Sequence, residues 1–493
     1  MSDLIVVLPL VPALTAAVIA TGGWRKATMW LPTVSCLTVG GIGITLAVRV
    51  LQSGPITAFS GQFRVDALGA LMIILIGAVG TIANTYSVAY LRTELATAAT
   101  TPHRARLFGV LMQLTIAAMC VVVTADNLGV LWVAIETTTI ATVLLVGHRR
   151  DRASVEASWK YLVLGSVGVA TALMGTVLVY FVSRQSGGDP STALNWSSLV
   201  ERAPHLDPGA LRVAMGFVIV GYGTKAGLAP LHSWLPDAYS QAPAPAAALM
   251  AGALSTMSMY ALLRFKVIAD IALGASYVRT LLLAAALLSL VTAASLMVTQ
   301  RDYKRLLAYS SVEHMGLIAL AAAIGSPLAM TAALLHMIGN GLAKSVAFSA
   351  TGEMLFATGT TRIDGVRGLL HQRPFIATTL GLSLLALLGL PPFSILASEL
   401  AIVRAGIADG LAWAIAIALV VMLAIFTAVL VHALNMLAGS PGGATVPSES
   451  TAHVTSLTVR VTLVSGLLVA AAIGITIWPI SQLLHTAAEV LAR

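Results

Sequence analysis

Fourteen apolar runs divide this chain, each of about twenty residues, the length a helix needs to cross a bilayer. They fall at approximately 3–22, 28–51, 66–91, 107–124, 127–147, 155–182, 211–237, 243–268, 274–299, 305–325, 328–357, 374–405, 411–438 and 458–485. Little polar sequence separates them. The expected fold is therefore all-α: a polytopic membrane protein of about fourteen transmembrane helices with no inserted soluble domain. Composition agrees, with 58% of residues hydrophobic and 10% charged, against about 25% charged in soluble domains. The first run lacks a basic leader and a cleavage site, so it reads as a retained span. The longest non-apolar stretch, at about 184–210, contains Gly187-Gly188-Asp189-Pro190 and reads as an external loop or cap.

The formal net charge of +8 is not a nucleic-acid footprint, because most Lys and Arg sit in the short connections, where they set topology. Connections after odd-numbered spans hold Arg25, Lys26, Arg92, Arg104, Arg106, Arg149, Arg150, Arg152, Arg301, Lys304, Arg305, Arg362, Arg367, Arg373 and Arg460. Those after even-numbered spans hold fewer, among them Arg64, Arg264, Lys266 and Arg279. The bias places the first set in the cytoplasm and both termini outside. The two cysteines, Cys36 and Cys120, lie in apolar segments, which excludes a cysteine-ligated cluster in the chain and disfavours a disulfide between them. No phosphate-binding glycine loop or metal-ligand spacing occurs in a suitable context.

Two spans are interrupted by proline beside an ionisable residue. The seventh reads Gly223-Thr-Lys225-Ala-Gly-Leu-Ala-Pro230-Leu-His232-Ser-Trp-Leu-Pro236-Asp237, and the twelfth Gly389-Leu-Pro391-Pro392-Phe-Ser-Ile-Leu-Ala-Ser-Glu399. A charge at the centre of a span costs about 2.5–3.5 kcal/mol on insertion scales, and broken backbone at membrane depth is tolerated only inside protein or beside water. The breaks lie five spans apart, so spans 4–8 and 9–13 are expected to form two five-helix units. An odd number of spans per unit inverts consecutive units in the membrane. The expected divisions are 1–106 (three helices), 107–270 (first unit), 271–440 (second, inverted unit) and 441–493 (a last span).

The polar residues inside these spans are the candidate site. Glu136 stands in the fifth span with no basic residue within a turn, so it needs a partner from another helix or it holds its proton; its alternatives are a proton relay and a plain polar joint between helices. Lys225, just before Pro230, is a proton switch if its distance to a carboxylate changes, or else a static ion pair with Glu136. His336, Asn340 and Lys344, at i, i+4 and i+8, form one polar stripe on the eleventh span, suited to a lateral proton wire or to helix–helix hydrogen bonding. Ser310, Ser311, Glu313 and His314 cluster near the start of the tenth span. Ser310 is the expected partner of His314, and Arg301, Lys304 and Arg305 before them read as topology signal. His232 and Asp237 flank Trp234 as a gate or a cap. Glu399 follows the second break as the terminal site on the exit side.

The run Lys225-Ala-Gly-Leu-Ala-Pro-Leu-His-Ser-Trp-Leu-Pro-Asp237, followed by Ala242-Pro-Ala-Pro245, resembles the antiporter-like subunits of respiratory complex I, membrane-bound hydrogenases and Mrp-type antiporters. Lys304-Arg-Leu-Leu-Ala-Tyr-Ser-Ser-Val-Glu-His-Met-Gly316 and Leu335-His-Met-Ile-Gly-Asn-Gly-Leu-Ala-Lys344 look especially like hydrogenase-4 component F. The resemblance implies that Glu136 is the essential glutamate of the fifth helix, Lys225 the lysine of the broken seventh, Glu399 the charged residue of the broken twelfth, and that His336 and Lys344 link two half-channels. Thr256 stands where relatives often carry Lys or His, and Asn340 where several carry a second histidine. The implied function is proton translocation by a non-catalytic membrane subunit of an oxidoreductase complex in a bacterial or archaeal cell membrane. Fe–S clusters and a Ni–Fe or other redox centre would belong to partner subunits, and this chain would hold no cofactor. The alternatives are an Mrp-type Na⁺/H⁺ antiporter subunit and a non-pumping structural or inorganic-carbon uptake module.

Overall fold

A computed structural model describes residues 2–439 and 455–492, so the division expected at 440/441 lies outside the described residues. The chain begins with α1 (Ser2–Gly22), α2 (Leu31–Ser53) and α3 (Ala67–Ala96); a short antiparallel hairpin, β1 (Ile56–Ala58) and β2 (Phe63–Val65), joins the last two, with Ile56 opposite Val65. Then come α4 (Pro102–Thr124), α5 (Leu128–Val146) and α6 (Arg152–Gln185). A short α7 (Trp196–Arg202) precedes α8 (Pro208–Ala226), and α9 (Trp234–Gln241) follows after a break. α10 (Ala244–Leu249) runs through a π turn at Met250–Leu254 into α11 (Ser255–Leu273). Next are α12 (Ala275–Val298), α13 (Tyr303–Ile324) and α14 (Pro327–Thr358), then a short α15 (Leu369–Gln372). α16 (Pro374–Leu387), a second break, α17 (Ser394–Ala408), α18 (Ala412–Ala438), α19 (Leu457–Ile475) and α20 (Trp478–Leu491) complete it.

Among the described residues, eleven helices, with α10 and α11 taken as one, are long and apolar enough to cross a bilayer. The other three of the fourteen expected spans are the two broken ones, α8–α9 and α16–α17, and α14, whose polar stripe dilutes its hydropathy. One span is corrected. The run expected at 458–485 ends at Ile475, and the chain turns at Thr476 and Ile477 into the separate helix α20, which buries Leu483, Leu484, Ala487, Ala488 and Leu491 while Trp478 is exposed.

Local chemistry sets the helix ends. Asp66, Thr101, Asn127, Asp151, Asp207 and Asp302 each accept a backbone N–H at the start of α3, α4, α5, α6, α8 and α13, and Pro102, Pro208, Pro327 and Pro374 occupy first-turn positions where no N–H is needed. The bilayer-facing perimeter is aliphatic: Leu14, Val420, Leu423 and Leu468 are exposed. At the centre, every residue from Ala242 to Ala269 and from Ala332 to Met354 is buried. α10–α11 and α14 are thus enclosed on all sides, as only interior helices are.

Close approach at the centre depends on glycine. A Cβ at Gly341 would lie 2.5 Å from the Gly252 carbonyl oxygen, so the π turn meets α14 backbone to backbone beside Asn340. A Cβ at Gly474, near the end of α19, would lie 1.9 Å from the Pro392 carbonyl oxygen in the second break. Gly474→Ala therefore forces backbone to move, and overpacking of this kind costs about 1–3 kcal/mol. Thermal unfolding of the detergent-solubilised variant is expected to start several degrees below wild type; an unchanged unfolding curve would show that α19 does not brace the break.

One expectation about basic residues is corrected. Arg264 and Lys266 are not loop residues: both are buried in α11, Arg264 paired with Asp66 and Lys266 with Asp270. The 184–210 stretch, expected as a loop or cap, is structured. It carries α7, whose buried Trp196 donates its indole N–H to the Arg264 carbonyl at 2.9 Å.

Candidate functional site

Both broken spans are built alike. In the seventh, Gly227 takes a left-handed conformation (φ 92°), which ends α8, and Leu228 N–H donates back to Gly223. The Ala229 N–H donates to Ser289 Oγ at 2.9 Å, and Trp234 Nε1–H donates to the Thr224 carbonyl at 2.9 Å. Backbone groups released by the break therefore find partners in α12 and α9, as burial requires. In the twelfth, Gly389 is left-handed (φ 64°). A Cβ there would lie 2.2 Å from Glu399 Oε2, so the carboxyl group of α17 folds back into space that only glycine leaves. Pro230, Pro391 and Pro392 sit at the exposed edge of the two breaks.

Lys225 is fully enclosed, and its Nζ donates to the Tyr161 hydroxyl at 2.6 Å. Tyr161 OH is 2.8 Å from Thr142 Oγ1, and Thr142 donates to the Thr138 carbonyl at 2.6 Å. The hydroxyl of Thr142 is committed to that carbonyl, so Tyr161 gives its own proton to Thr142. The chain of donors runs Lys225, Tyr161, Thr142, and ends at the Thr138 carbonyl on α5, two positions along the sequence from Glu136. Tyr161 also stacks on Trp234, with ring centroids 4.5 Å apart, which locks the tyrosine between the break and the lysine. The alternative reading, a static pair with Glu136, is not what the structure shows. Among the described residues no carboxylate lies within ion-pair distance of Lys225. Glu136 is half-buried, accepts only from Ser166 Oγ at 3.4 Å, and its Oε2 has no protein partner. Thr139 donates to the Ile135 carbonyl rather than to Glu136.

On the other side of the centre, Lys344 Nζ donates to the Leu307 carbonyl at 2.6 Å. His314 does not use Ser310, the expected partner. Its Nδ1 is 2.9 Å from His336 Nε2, and His336 Nδ1 is 2.9 Å from Ser398 Oγ. Ser398 donates to the Ile395 carbonyl at 2.7 Å. That last bond fixes the direction of the rest for neutral rings: His336 donates through Nδ1 to Ser398, its Nε2 accepts from His314 Nδ1–H, and His314 Nε2 is left as a bare lone pair. His314 Nε2 is buried and has no hydrogen-bond partner in the protein. A proton received there releases one at Nδ1, and the transfer repeats through His336 toward α17, one residue from Glu399. Beside Glu313, a cavity of about 10 Å³ lined by Ser310, Leu307, Leu387 and Leu388 is about the size of one water.

Between these halves stand Thr256, Ser258 and Asn340. Thr256 Oγ1, Ser258 Oγ and both side-chain polar atoms of Asn340 are buried without a protein partner, as is Ser394 Oγ at the second break. Tyr239 on α9 shares a hydrogen bond of 2.6 Å with Ser255 and donates to the Met250 carbonyl of the π turn at 3.2 Å. π turns recur at functional positions in helices because they offer backbone groups outside the regular ladder.

The remaining expected residues are structural contacts or edges. Asp237 pairs with Lys160 at 3.1 Å and with Arg305. Lys304 is buried, with Nζ donating to the Ser240 and Ala242 carbonyls at 2.5 and 3.0 Å, so it and Arg305 clamp the start of α13 onto the end of α9 instead of lying in a loop. His232 is half-buried in the first break, its Nδ1 unpartnered. Among the described residues no group of three His, Cys, Asp or Glu is placed to hold a metal ion. The residues that sequence reasoning missed are Tyr161, Thr142, Tyr239 and Ser398. Two tyrosines and two hydroxyl residues in largely apolar sequence are the trace they leave in the chain.

Residues 125–427 match the family described as NADH:quinone oxidoreductase/Mrp antiporter, transmembrane. A relative named hydrogenase-4 component F homolog, from Methylacidiphilum infernorum (isolate V4), is 38% identical over 346 residues, covering 70% of this chain and 73% of that one. In three dimensions the chain is similar to a chain of the membrane-bound sulfane sulfur reductase, an archaeal respiratory membrane complex, with a TM-score of 0.86 and 25% identity over 100% of this chain and 98% of that one. It also shares the fold of a chain of the Mrp complex from Dietzia sp. DQ12-45-1b, with a TM-score of 0.86 and 21% identity over 100% of this chain and 97% of that one.

Proposed function

The chain belongs to the NADH:quinone oxidoreductase/Mrp antiporter transmembrane family, as an antiporter-like membrane subunit, and we propose that it moves protons across the membrane in step with redox chemistry in partner subunits. The observation that carries this reading is the row of buried polar atoms without protein partners: Glu136 Oε2, Thr256 Oγ1, Ser258 Oγ, Asn340, His314 Nε2 and Ser394 Oγ. Leaving such a group unsatisfied costs about 1–3 kcal/mol, and polar groups in protein interiors are ordinarily satisfied by protein or water. Several of them beside Lys225, Lys344 and the histidine pair describe a hydrated track inside an apolar protein.

Along it, Glu136 accepts a proton near the first unit's edge. Lys225 exchanges it through Tyr161 and Thr142. Thr256, which holds no charge, passes it by way of water with Ser258 and Asn340. Lys344 and Glu313 receive it in the second unit, and His314, His336 and Ser398 deliver it to Glu399. The five-helix units, 107–270 and 271–440, place the two breaks in inverted positions, and the arginine-rich connections face the cytoplasm with both termini outside. His232 and Asp237 support the first break. One charge moved against 100 mV requires about 2.3 kcal/mol, which Fe–S and Ni–Fe or other redox centres in partner subunits supply.

The test is redox-driven proton uptake in proteoliposomes holding the complex purified in mild detergent. Copurification with a hydrogenase- or dehydrogenase-like module is expected. Glu136→Gln, which keeps the bond to Ser166 but cannot ionise, is expected to slow proton uptake several-fold while electron transfer with an uncoupler present is retained. Proton uptake at the wild-type rate in that variant, or sodium- or potassium-driven exchange with no redox partner, would replace this reading.

A further inference from the structure

On the face that carries the excess of arginine, α4, α5 and α6 diverge around a cavity of about 200 Å³ whose lining includes none of the track residues. Its inner wall is aliphatic, from Leu107, Leu144 and Leu162, and Trp159 stands at its rim. Leu107, Leu144 and Trp159 are exposed, so the cavity opens toward the bilayer. Its other rim holds Arg104 and Arg150. Neither arginine is in an ion pair among the described residues. The acids nearby are engaged: Asp151 caps α6 through the Ser154 N–H at 2.7 Å, and Glu94 faces His148 at 3.4 Å. The neighbouring Arg149 turns inward instead and donates to the Tyr90 hydroxyl at 3.1 Å. Arg150 itself is held at φ 59°, a left-handed conformation unfavourable for a residue with a Cβ. The chain therefore bends at this point so that one arginine goes into the protein and the next stays at the mouth of the cavity.

We propose that this cavity binds one anionic phospholipid, with its phosphate between Arg104 and Arg150 and an acyl chain along the leucine wall. Two guanidinium groups without carboxylate partners match a phosphodiester. A tryptophan at the rim sits where aromatic rings meet headgroups, and basic pockets between helices on the positive face are where anionic headgroups are held. An inorganic anion would use the arginines alone, whereas an anionic lipid uses both the arginines and the aliphatic wall that opens to the bilayer.

The full-length protein would be purified in mild detergent, exchanged into nanodiscs of dioleoylphosphatidylcholine containing a minor fraction of dioleoylphosphatidylglycerol, and its retained lipid measured by native mass spectrometry. Wild type is expected to retain one phosphatidylglycerol. The double variant Arg104→Gln/Arg150→Gln is expected to retain about tenfold less, each cation contributing to headgroup attraction. Leu144→Trp fills the wall, leaves both arginines in place and is expected to lose the lipid too. This second variant keeps the test decisive if the first folds poorly. Arg25→Gln/Lys26→Gln, on the same face and away from the cavity, is expected to behave as wild type. The proposal is overturned if wild type and Arg104→Gln/Arg150→Gln retain equal phosphatidylglycerol, if the Arg25/Lys26 control loses as much, or if millimolar inorganic phosphate displaces the lipid.

Discussion

Lys225→Met is expected to reduce redox-driven proton uptake at least tenfold, a barrier change of about 1.4 kcal/mol or more, while the assembled complex still transfers electrons once uncoupled. Methionine fills a similar volume, and Tyr161 keeps its bond to Thr142 and its stack on Trp234. What disappears is a nitrogen that can carry and release a proton beside the first break. Lys225→Arg separates two explanations. If Lys225 serves only as a fixed positive charge, arginine substitutes for it. If it must give its proton to Tyr161 or water and take another, arginine fails, because guanidinium does not deprotonate in proteins. Both variants are expected to be defective. Proton uptake in Lys225→Arg at the wild-type rate would remove Lys225 from the proton path and leave it an electrostatic support. Tyr161→Phe, which cuts the donor chain to Thr142 but spares the lysine, is expected to fall between wild type and Lys225→Met.

The reason Lys225 was visible in the chain and Tyr161 was not is physical. A lysine inside an apolar run before a proline is costly wherever the run goes, so its presence signals function before any fold is known. Tyr161 is tolerated in a span for many reasons, and only the contact across 64 positions of sequence shows its use. The same holds for Ser398, one residue from the conspicuous Glu399, and for the His314–His336 bond between two helices. Helix positions and both breaks followed from apolar length, glycine and proline, which act locally. The inward turn of Lys304 did not: a basic residue at a span end is equally consistent with a cytoplasmic boundary, and the carbonyls it satisfies, at Ser240 and Ala242, are supplied by α9's far end. The end of the fourteenth span was misplaced for a related reason, since an amphipathic surface helix such as α20 extends an apolar run without crossing the bilayer.

Arg264 is the second case in which a span-end cation proves to be interior, and it carries the largest expected effect on stability. Its guanidinium donates to both oxygens of Asp66, at 2.6 and 2.7 Å, and to the Tyr260 hydroxyl at 3.0 Å, and it lies over the Trp196 ring at 4.5 Å. Tyr260 in turn donates to the Val123 carbonyl at 3.2 Å. One buried ion pair thus ties the start of α3, the end of α4, the cap helix α7 and α11 together. Arg264→Ala leaves Asp66 buried with no counter-charge, and breaking a buried pair in this way costs about 3–5 kcal/mol. The detergent-solubilised variant is expected to unfold far below wild type or to fail to accumulate in the membrane. Asp66→Leu combined with Arg264→Met is expected to be much milder than either single change, because a pair replaced by apolar groups leaves no uncompensated charge. Acid should act on the same joint. Burial pushes the Asp66 carboxyl up, but Arg264 and the Gly69 N–H outweigh it and hold the group below the ordinary carboxylate range. Its contribution is therefore complete above that range and is lost as pH falls through the lowered value. As pH falls from neutral, wild type is expected to lose thermal stability relative to the double variant, because a protonated Asp66 leaves Arg264 buried without its counter-charge. A double variant as unstable as Arg264→Ala at neutral pH would mean that hydrogen bonding to Tyr260 and packing on Trp196, rather than the charge pair, hold this corner of the protein.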